Sequence, residues 1–206
     1  MKRMPKRTPF RVLVSCILST RTQDPVTAEA SARLFDVADD AAGLARLRPA
    51  RIEKLIYPVG FYHTKAKLLP DVARILLERW QGRVPDTLEE LGELPGVGRK
   101  VANIVLSKGF GVPAIAVDTH VHRISNRLGL VRTRTPEKTE RSLARKLPER
   151  YWIEWNYLLV AHGQTVCRPI GPKCDECPVS RWCRRVGART SRLRPRPAPR
   201  RSRAGR

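Results

Sequence analysis

Lys100 and Asp118 are the residues of this chain whose types and spacing suit covalent chemistry. Lys100 ends the glycine-rich corner LPGVGRK and falls in the first turn of a helix predicted over 99–109. There the helix dipole and the neighbouring Arg99 both favour the neutral, nucleophilic amine. The helix is about 16 Å long and the return segment GVPAIAV spans at most roughly 23 Å, so Asp118 can come back beside Lys100. Such a pair suits attack of the amine on a sugar carbon, assisted by the carboxylate.

Each part of this arrangement also has a purely structural interpretation. Lysines are ordinarily solvated, and Asp118 begins DTHVHR, where it is a good N-cap for a helix over 119–128. The corner fits neither the Rossmann fingerprint nor the P-loop, since the required third glycine and Lys-Ser/Thr pair are missing. Gly96 and Gly98 can take positive φ and admit a partner close to the backbone. The N–H groups that begin the helix then favour an anion such as a DNA phosphate, although an ordinary corner between two helices explains the pattern as well.

The second group of chemically capable residues is a run of cysteines near the C-terminal end. Four of the five cysteines have the spacing C-x6-C-x2-C-x5-C, and they are Cys167, Cys174, Cys177 and Cys183. Two disulfides fit poorly with a cytoplasmic-looking chain, and structural zinc usually takes two close pairs. A compact loop of four thiolates suits a [4Fe–4S] cluster better, with zinc as the alternative. Cys16 lies in an apolar helix and is most simply a buried free thiol.

The charge of the chain indicates a polyanionic partner. Lys and Arg number 41 against 19 Asp and Glu, which gives a net charge of +22. The segment 188–206 holds eight arginines and no acid, and +22 less eight still leaves +14 for the remainder. Such an excess favours nucleic acid, with a generally basic surface or a ribosome-associated protein as the alternative. We expect the arginine- and proline-rich tail to be disordered.

No window of the chain approaches the roughly 18 to 20 apolar residues that span a bilayer. The N-terminal segment MKRMPKRTPFRVLVSCILST is basic and then apolar, as in a signal peptide, but it has no small-residue cleavage site. A core helix is therefore the better interpretation. We expect a soluble, cytoplasmic protein that acts at the nucleoid.

Helical patterns separated by Gly and Pro dominate the chain, which predicts an all-α fold. The segment PFRVLVSCILS is apolar nearly all round and predicts a central core helix, while DPVTAEASARLFDVA predicts a helix with Asp24 as N-cap and Pro25 at its first position. Only VPAIAV (112–117) has an extended pattern, and there is no internal repeat. Further helices are predicted at 39–47, 50–57, 62–80, 86–92, 99–109, 119–128, 136–147 and 151–164.

Four stretches of this sequence resemble the endonuclease III family of DNA glycosylases. ELPGVGRKVANIVLSKGFGVPAIAVDTHVHR is similar to the family's helix-hairpin-helix with the Gly/Pro loop and aspartate, and the cysteine run is similar to its iron–sulfur signature. PFRVLVSCILSTRTQD and PVGFYHTKA resemble the start of the fold and the base-flipping loop. The likeness covers roughly residues 9 to 185 in one order and spacing.

The resemblance implies two helical domains with the active site in the cleft between them. The first is a six-helix barrel over 9–112; the second, over 113–186 with the short segment 1–8, holds a [4Fe–4S] cluster; and 187–206 is the basic tail. Lys100 would be the nucleophile that displaces a damaged base and forms a Schiff base, and Asp118 would assist it. β-Elimination would then cut the strand, so the resemblance implies a bifunctional glycosylase and lyase.

The resemblance also implies a set of contacts with double-stranded DNA that carries damaged bases or abasic sites. Phe61 would be an apolar wedge, Arg21 stands where many members have a glutamine that fills the place of the flipped-out base, and the cluster would shape the loop over 168–173. Redox sensing by the cluster is the alternative to that structural role. The expected contacts are Gly96, Val97, Gly98, Arg21, Phe61, His120, Arg168 and Lys173.

We expect a monomer, and two other functions compete with this one. A monofunctional mismatch or adenine glycosylase shares the cluster, but the adenine enzymes typically lack the lysine and have an extra C-terminal domain. A non-catalytic DNA-binding protein with a structural metal is the alternative from another class.

Overall fold

The computed structural model describes residues 8–188, and this part of the chain is helical without a β-strand. The all-α prediction is confirmed, and the predicted helices lie within a few residues of the observed ones. Residues 1–7, which we predict to join the second domain, lie outside this range. The tail from 189 onward, which we predict to be disordered, lies outside it as well. The α-helices are α1 (Pro9–Ser19), α2 (Asp24–Phe35), α3 (Ala41–Arg46), α4 (Pro49–Ile56), α5 (Tyr62–Trp80), α6 (Leu88–Gly92), α7 (Arg99–Val105), α8 (Thr119–Leu128), α9 (Pro136–Ala144) and α10 (Trp152–Thr165).

Two local predictions need correction. Asp24 is not the N-cap of α2: the helix begins at Asp24 itself, and Gln23 takes the cap position without a side-chain hydrogen bond. The Asp24 carboxylate instead lies in the first turn, where it complements the helix dipole. The helix over 99–109 is also not uniform, because α7 ends at Val105 and a π-helical turn, Leu106–Phe110, continues it.

Helix α1 is the centre of the larger hydrophobic core, as its apolar sequence predicts. Leu13, Val14, Ile17 and Leu18 are completely or almost completely buried. The helix packs against α2, α5, α7 and the π-helical turn. The apolar cluster around it runs from Phe10 to Ala114. Burial of a single large apolar side chain stabilises the fold by about 1.5–3 kcal/mol, so this cluster holds the corner LPGVGRK in place.

A second, smaller apolar cluster begins where the first one ends along the chain. It is formed by residues from Ile115 to Leu159 on the extended segment 112–117 and on α8, α9 and α10. The segment 112–117 makes no strand ladder, and the Asn156 side-chain amide donates to Ala116 O at 2.9 Å. The Ala116 carbonyl is thus satisfied by a side chain rather than by a neighbouring strand. Among the helices of residues 8–188, none combines the length and apolarity that a bilayer crossing requires.

Candidate functional site

The two glycines of the corner have different reasons to be glycine. Gly96 has φ +78°, and a Cβ there would come within 2.6 Å of Leu68 Cδ2. Gly98 has φ −84° and is the N-cap of α7, so the expectation of positive φ at Gly98 is wrong. A Cβ on Gly98 would meet nothing within 4 Å. The surface at Gly98 is therefore open for the close approach of a partner.

The N–H groups of the corner are not all free. Val97 is buried, and its N–H donates to Leu94 O at 3.1 Å inside the turn. This contrasts with the expectation that the Val97 N–H faces a partner. In the described part of the chain the N–H groups of Gly96 and Gly98 make no backbone hydrogen bond. These two groups remain for an anion, together with the dipole of α7.

Lys100 is exposed and lies at the second helical position of α7. No hydrogen bond or ion pair to Lys100 occurs within residues 8–188. Its neighbour Arg99 is paired with Glu140 of α9 through two hydrogen bonds of 2.8 Å, Nε to Oε2 and Nη2 to Oε1. The Glu140 carboxylate therefore balances the like charge that Arg99 places beside Lys100.

Asp118 is the N-cap of α8, as the sequence predicts. Its Oδ1 accepts from the Val121 N–H at 2.8 Å, and the side chain is half-buried. Oδ2 accepts no hydrogen bond from the described residues. One carboxylate oxygen thus fixes the side chain while the other stays free to act, so the capping role and a chemical role are compatible.

The helices that carry Lys100 and Asp118 are linked through α9. The Arg99–Glu140 pair joins the first turn of α7 to α9, and α9 packs against α8, which Asp118 caps. No direct ion pair joins Lys100 to Asp118 in the described part of the chain. Both side chains lie at helix N-termini, where an anionic substrate is favoured.

Cys16 lies on α1, and its thiol is affected by the charge of Lys100. Burial raises the pKa of the Cys16 thiol to about 11, and the charges of Lys100 and Lys108 oppose that shift. Helix α7, which carries Lys100, packs directly against the central helix α1. Cys16 is half-buried, and no disulfide joins any of the five cysteines, all of which lie within residues 8–188.

Arg21 and Phe61 meet at the surface, although 40 residues separate them along the chain. The Arg21 guanidinium carbon lies 5.4 Å from the centroid of the Phe61 ring. Both residues are in the left-handed region, with φ 53° and 58°, which is uncommon for residues other than glycine. Phe61 is 60% exposed, and an exposed aromatic ring beside a guanidinium suits contact with bases.

An open cavity of about 520 Å³ lies beside this pair. Arg21, Thr22 and Gln23 of the α1–α2 connection and the first two residues of α2 line one side, and Gln164 of α10 lines the other. The cavity therefore lies between the α1–α2 region, which belongs to the first apolar cluster, and α10, which belongs to the second apolar cluster. A cavity at such a junction is a common location for ligand binding.

Sequence reasoning missed Lys65, which is 5% exposed on the buried face of α5. Its Nζ donates to Leu18 O and Thr20 O, each at 2.7 Å, and to Thr22 Oγ1 at 3.4 Å. Burial lowers the pKa of Lys65 to about 8. Its helical spacing from Leu69 and Leu76 on one face was the available signal in the sequence.

Three further predicted contacts lie C-terminal to the corner: His120 is on α8, and Arg168 and Lys173 are in the loop after α10. His120 is half-buried, and its Nδ1 lies 3.1 Å from Arg123 Nη2. Arg168 is exposed, whereas Lys173 is exposed but pairs with Glu176 at 3.2 Å. Arg168 is thus the residue of the three that is both exposed and free of a side-chain hydrogen bond within residues 8–188.

The loop over 168–173 is held by Arg127, a second residue that sequence reasoning missed. Arg127 is buried, and its guanidinium donates to Arg168 O at 2.6 Å and to Pro169 O at 2.8 Å. It also donates to Cys167 Sγ at 3.6 Å. A guanidinium with several planar donors can fix both the loop and the Cys167 side chain.

The four cysteines of the run line one cavity. Cys167, Cys174, Cys177 and Cys183 all contribute to its wall. The Arg185 backbone N–H donates to Cys183 Sγ at 3.3 Å, and His162 Nε2 lies 3.6 Å from Cys177 Sγ. Within residues 8–188 no three His, Cys, Asp or Glu side chains converge on a single metal ion.

Sequence comparison relates the chain to DNA repair proteins. A profile described as HhH-GPD superfamily base excision DNA repair protein matches residues 14–149. Endonuclease III of Thermotoga maritima is 51% identical over 187 residues, which are 89% of this chain and 88% of that protein. Endonuclease III-like protein 1 of Mus musculus is 42% identical and aligns with 84% of this chain and 59% of its own length.

Solved structures give the same relationship. A trapped Endonuclease III–DNA covalent intermediate matches with a TM-score of 0.81 and 35% identity, over 87% of this chain and 84% of that chain. A thermostable thymine-DNA glycosylase matches with a TM-score of 0.78 and 25% identity, over 87% of this chain and 85% of that chain. This chain therefore belongs to the HhH-GPD superfamily of base excision DNA repair proteins, and within it to the endonuclease III family.

Proposed function

We propose that this protein is a bifunctional DNA glycosylase and AP lyase that removes oxidised pyrimidines in base excision repair. The observation that carries the proposal is the exposed Lys100 at the N-terminal turn of α7, directly after the open backbone at Gly98. A phosphate bound at this corner fixes the register of the DNA relative to the amine. The family relationship and the net charge of +22 support DNA as the partner.

Lys100 Nζ attacks C1′ of the extruded nucleotide, and the bond from C1′ to the base breaks. Asp118 uses its free Oδ2 to assist proton removal from the amine and to stabilise positive charge on the sugar. Ring opening gives a Schiff base between Lys100 and C1′. Loss of a C2′ proton then expels the 3′ phosphate by β-elimination, and hydrolysis of the Schiff base releases the lysine.

The proposed DNA contacts are side chains and backbone N–H groups that are accessible at the surface. Arg21 and Phe61 enter the stack from which the damaged nucleotide is extruded, at a cost of a few kcal/mol that is smallest for damaged bases. The N–H groups of Gly96 and Gly98 bind phosphate, and Arg168 binds the backbone from the loop that Arg127 holds. His120 follows Asp118 by two residues in the first turn of α8, beside Arg123, and is the remaining proposed contact.

The cysteine cavity fits a [4Fe–4S] cluster. Four thiols stand around one space instead of converging on a point, and N–H donors from Arg127 and Arg185 reach two of the sulfurs. Such donors suit the anionic sulfurs of a cluster. Cys167, Cys174, Cys177 and Cys183 would hold it. When bound it would act as a structural cross-link for the 168–173 loop, with no part in the reaction at the base.

We place the first domain over 9–112 and the second over 113–186, in accord with the change of apolar cluster between Ala114 and Ile115. The protein acts as a monomer on double-stranded DNA at the nucleoid, in the cytoplasm. The arginines of the tail add sequence-independent affinity for phosphate.

A panel of duplex oligonucleotides tests the proposed function. The substrates carry thymine glycol, dihydrouracil, a uracil mismatch or an abasic site, and each is assayed for base release, strand cleavage and borohydride trapping. We expect release and cleavage on the oxidised pyrimidines, with Asp118→Asn slowing base release strongly while it leaves DNA affinity nearly unchanged. Base release without strand cleavage or trapping would instead establish a monofunctional glycosylase. Binding without any turnover would establish a non-catalytic protein.

A further inference from the structure

Two separate turns of the chain form one surface at Arg21 and Phe61. Arg21 lies in the α1–α2 connection, whereas Phe61 lies directly before α5. A Cβ on Gly60 would lie only 2.4 Å from Arg21 O, so the two backbones are in direct contact. The Gly60 N–H also donates to Thr22 Oγ1 at 3.1 Å. The guanidinium and the ring are therefore held together from below by backbone packing.

Lys65 connects both turns through its own atoms. Its ammonium has three donors, and they reach Leu18 O, Thr20 O and Thr22 Oγ1 on the turn that carries Arg21. Its backbone N–H donates to Phe61 O at 3.0 Å. A single residue thus links the carbonyl of Phe61 to three acceptors around Arg21.

Stabilisation of the C-terminal end of α1 does not by itself explain why position 65 is a lysine. An apolar side chain at position 65 would fill the same buried face of α5, and it would avoid the cost of a buried ammonium without a carboxylate partner. Burial does act against this ammonium, because it lowers the pKa of Lys65 to about 8. The specific gain from the ammonium is the fixed position of the turn over 18–22 relative to Phe61.

We propose that Lys65 is a positioning residue, which holds Arg21 and Phe61 as one rigid wedge for extrusion of the damaged nucleotide. The inference rests on the proposed function, since the wedge acts on a DNA duplex. A wedge that is already ordered loses little conformational freedom when it enters the base stack. Without the ammonium, the α1–α2 connection separates from Phe61, and insertion into the stack becomes costlier.

This role predicts a split between two reactions of the same active site. Base release from an intact duplex requires extrusion, whereas Schiff-base formation at an abasic site in a single strand does not. In Lys65→Met we expect single-turnover base release to fall on the order of tenfold to a hundredfold, as displacements of about 1 Å remote from the chemistry can do. Borohydride trapping on the single-stranded abasic oligonucleotide should stay within about twofold of wild type, since the chemistry at Lys100 is untouched.

A double-mutant cycle with Phe61→Ala distinguishes positioning from general damage. If Lys65 acts through the wedge, Lys65→Met has little further effect on base release once Phe61 is removed. Multiplicative effects of the two substitutions would overturn the proposal, as would an equal loss of single-strand trapping in Lys65→Met. Failure of wild-type protein to trap any abasic DNA would instead contradict the proposed function.

Gly60→Ala provides a second variant that leaves every hydrogen-bonding side chain in place. Its Cβ would press on the backbone oxygen of Arg21 and part the two turns. We expect the same split between duplex base release and single-strand trapping, even if Lys65→Met does not fold. Gly92→Ala is the matched control, because a Cβ there meets nothing within 4 Å, and it should behave as wild type in both assays. Duplex base release by Gly60→Ala equal to that of Gly92→Ala would refute the inference.

Discussion

The ion pair between Arg99 and Glu140 is predicted to stabilise the junction of the two apolar clusters. It makes two hydrogen bonds of 2.8 Å between the first turn of α7 and α9. The Glu140 side chain is 14% exposed and the Arg99 side chain is 42% exposed. The Glu140 carboxylate raises the pKa of Arg99, so the guanidinium stays charged. Glu140→Gln keeps the shape of the side chain and removes the charge.

The loss of stability expected for Glu140→Gln lies between two limits. A hydrogen bond to a charged group contributes about 1.5–3 kcal/mol when it is well sheltered, whereas an exposed ion pair contributes about 0.2–1 kcal/mol. The sheltered carboxylate and the two-point geometry raise the value, and the partly exposed guanidinium lowers it through solvent screening. We therefore expect Glu140→Gln to lower the free energy of unfolding by about 1–2 kcal/mol.

Urea denaturation of the single variants Glu140→Gln and Arg99→Gln and of the double variant measures the pair itself. We expect a coupling energy of about 1 kcal/mol that decreases only partly in high salt. Asp71→Asn provides the control, since the Arg74–Asp71 pair is exposed on both sides and should change stability by less than about 0.5 kcal/mol. A coupling energy below about 0.3 kcal/mol, which is within the additivity of independent sites, would refute the reasoning about this junction.

Three further predictions concern the corner, the tail and the cofactor. Gly96→Ala should lower the free energy of unfolding by about 1–2 kcal/mol because of its positive φ and the clash with Leu68. Gly98→Ala should cost less, about 0.5 kcal/mol, since only the N-cap preference for glycine is lost there. Equal effects in chemical denaturation would contradict the geometry. Removal of residues 188–206 should weaken binding of all DNA sequences alike. The slope of log K against the logarithm of the salt concentration should become shallower by about 0.9 per lost phosphate contact. An unchanged slope would show that the tail does not touch DNA. Purified protein should be yellow-brown with about four irons per chain by elemental analysis, and a colourless zinc protein would contradict the cluster.

The helices were predictable because local patterns decide them. Helix α5 has the predicted limits of 62 and 80, and Asp118 caps α8 as its place before a helical pattern indicates. Prolines and glycines mark most other ends, so local chemistry and the tertiary fold agree. The cap of α2 was mispredicted by one residue because Gln23 supplies only an extended backbone and no side-chain hydrogen bond, which leaves no chemical signature.

The supporting residues of the site were not predictable from spacing. Lys65 and Arg127 act on carbonyl oxygens of turns that are distant in sequence, and a carbonyl oxygen has no residue type to recognise. The pairing of Arg99 with Glu140 was likewise not predictable, because Glu140 is 41 residues away and belongs to another helix. Motifs therefore predict the reactive groups, while the tertiary structure decides what holds them in place.

The central claim is that the Lys100 amine is the nucleophile. Mass spectrometry of the borohydride-reduced adduct with abasic duplex DNA tests it most directly, with Lys100→Gln as the matched variant. We predict that the adduct maps to Lys100 and is absent from Lys100→Gln, which should still bind the DNA. An adduct on another amine, such as Lys65 or Lys108, or trapping that persists in Lys100→Gln, would contradict the account.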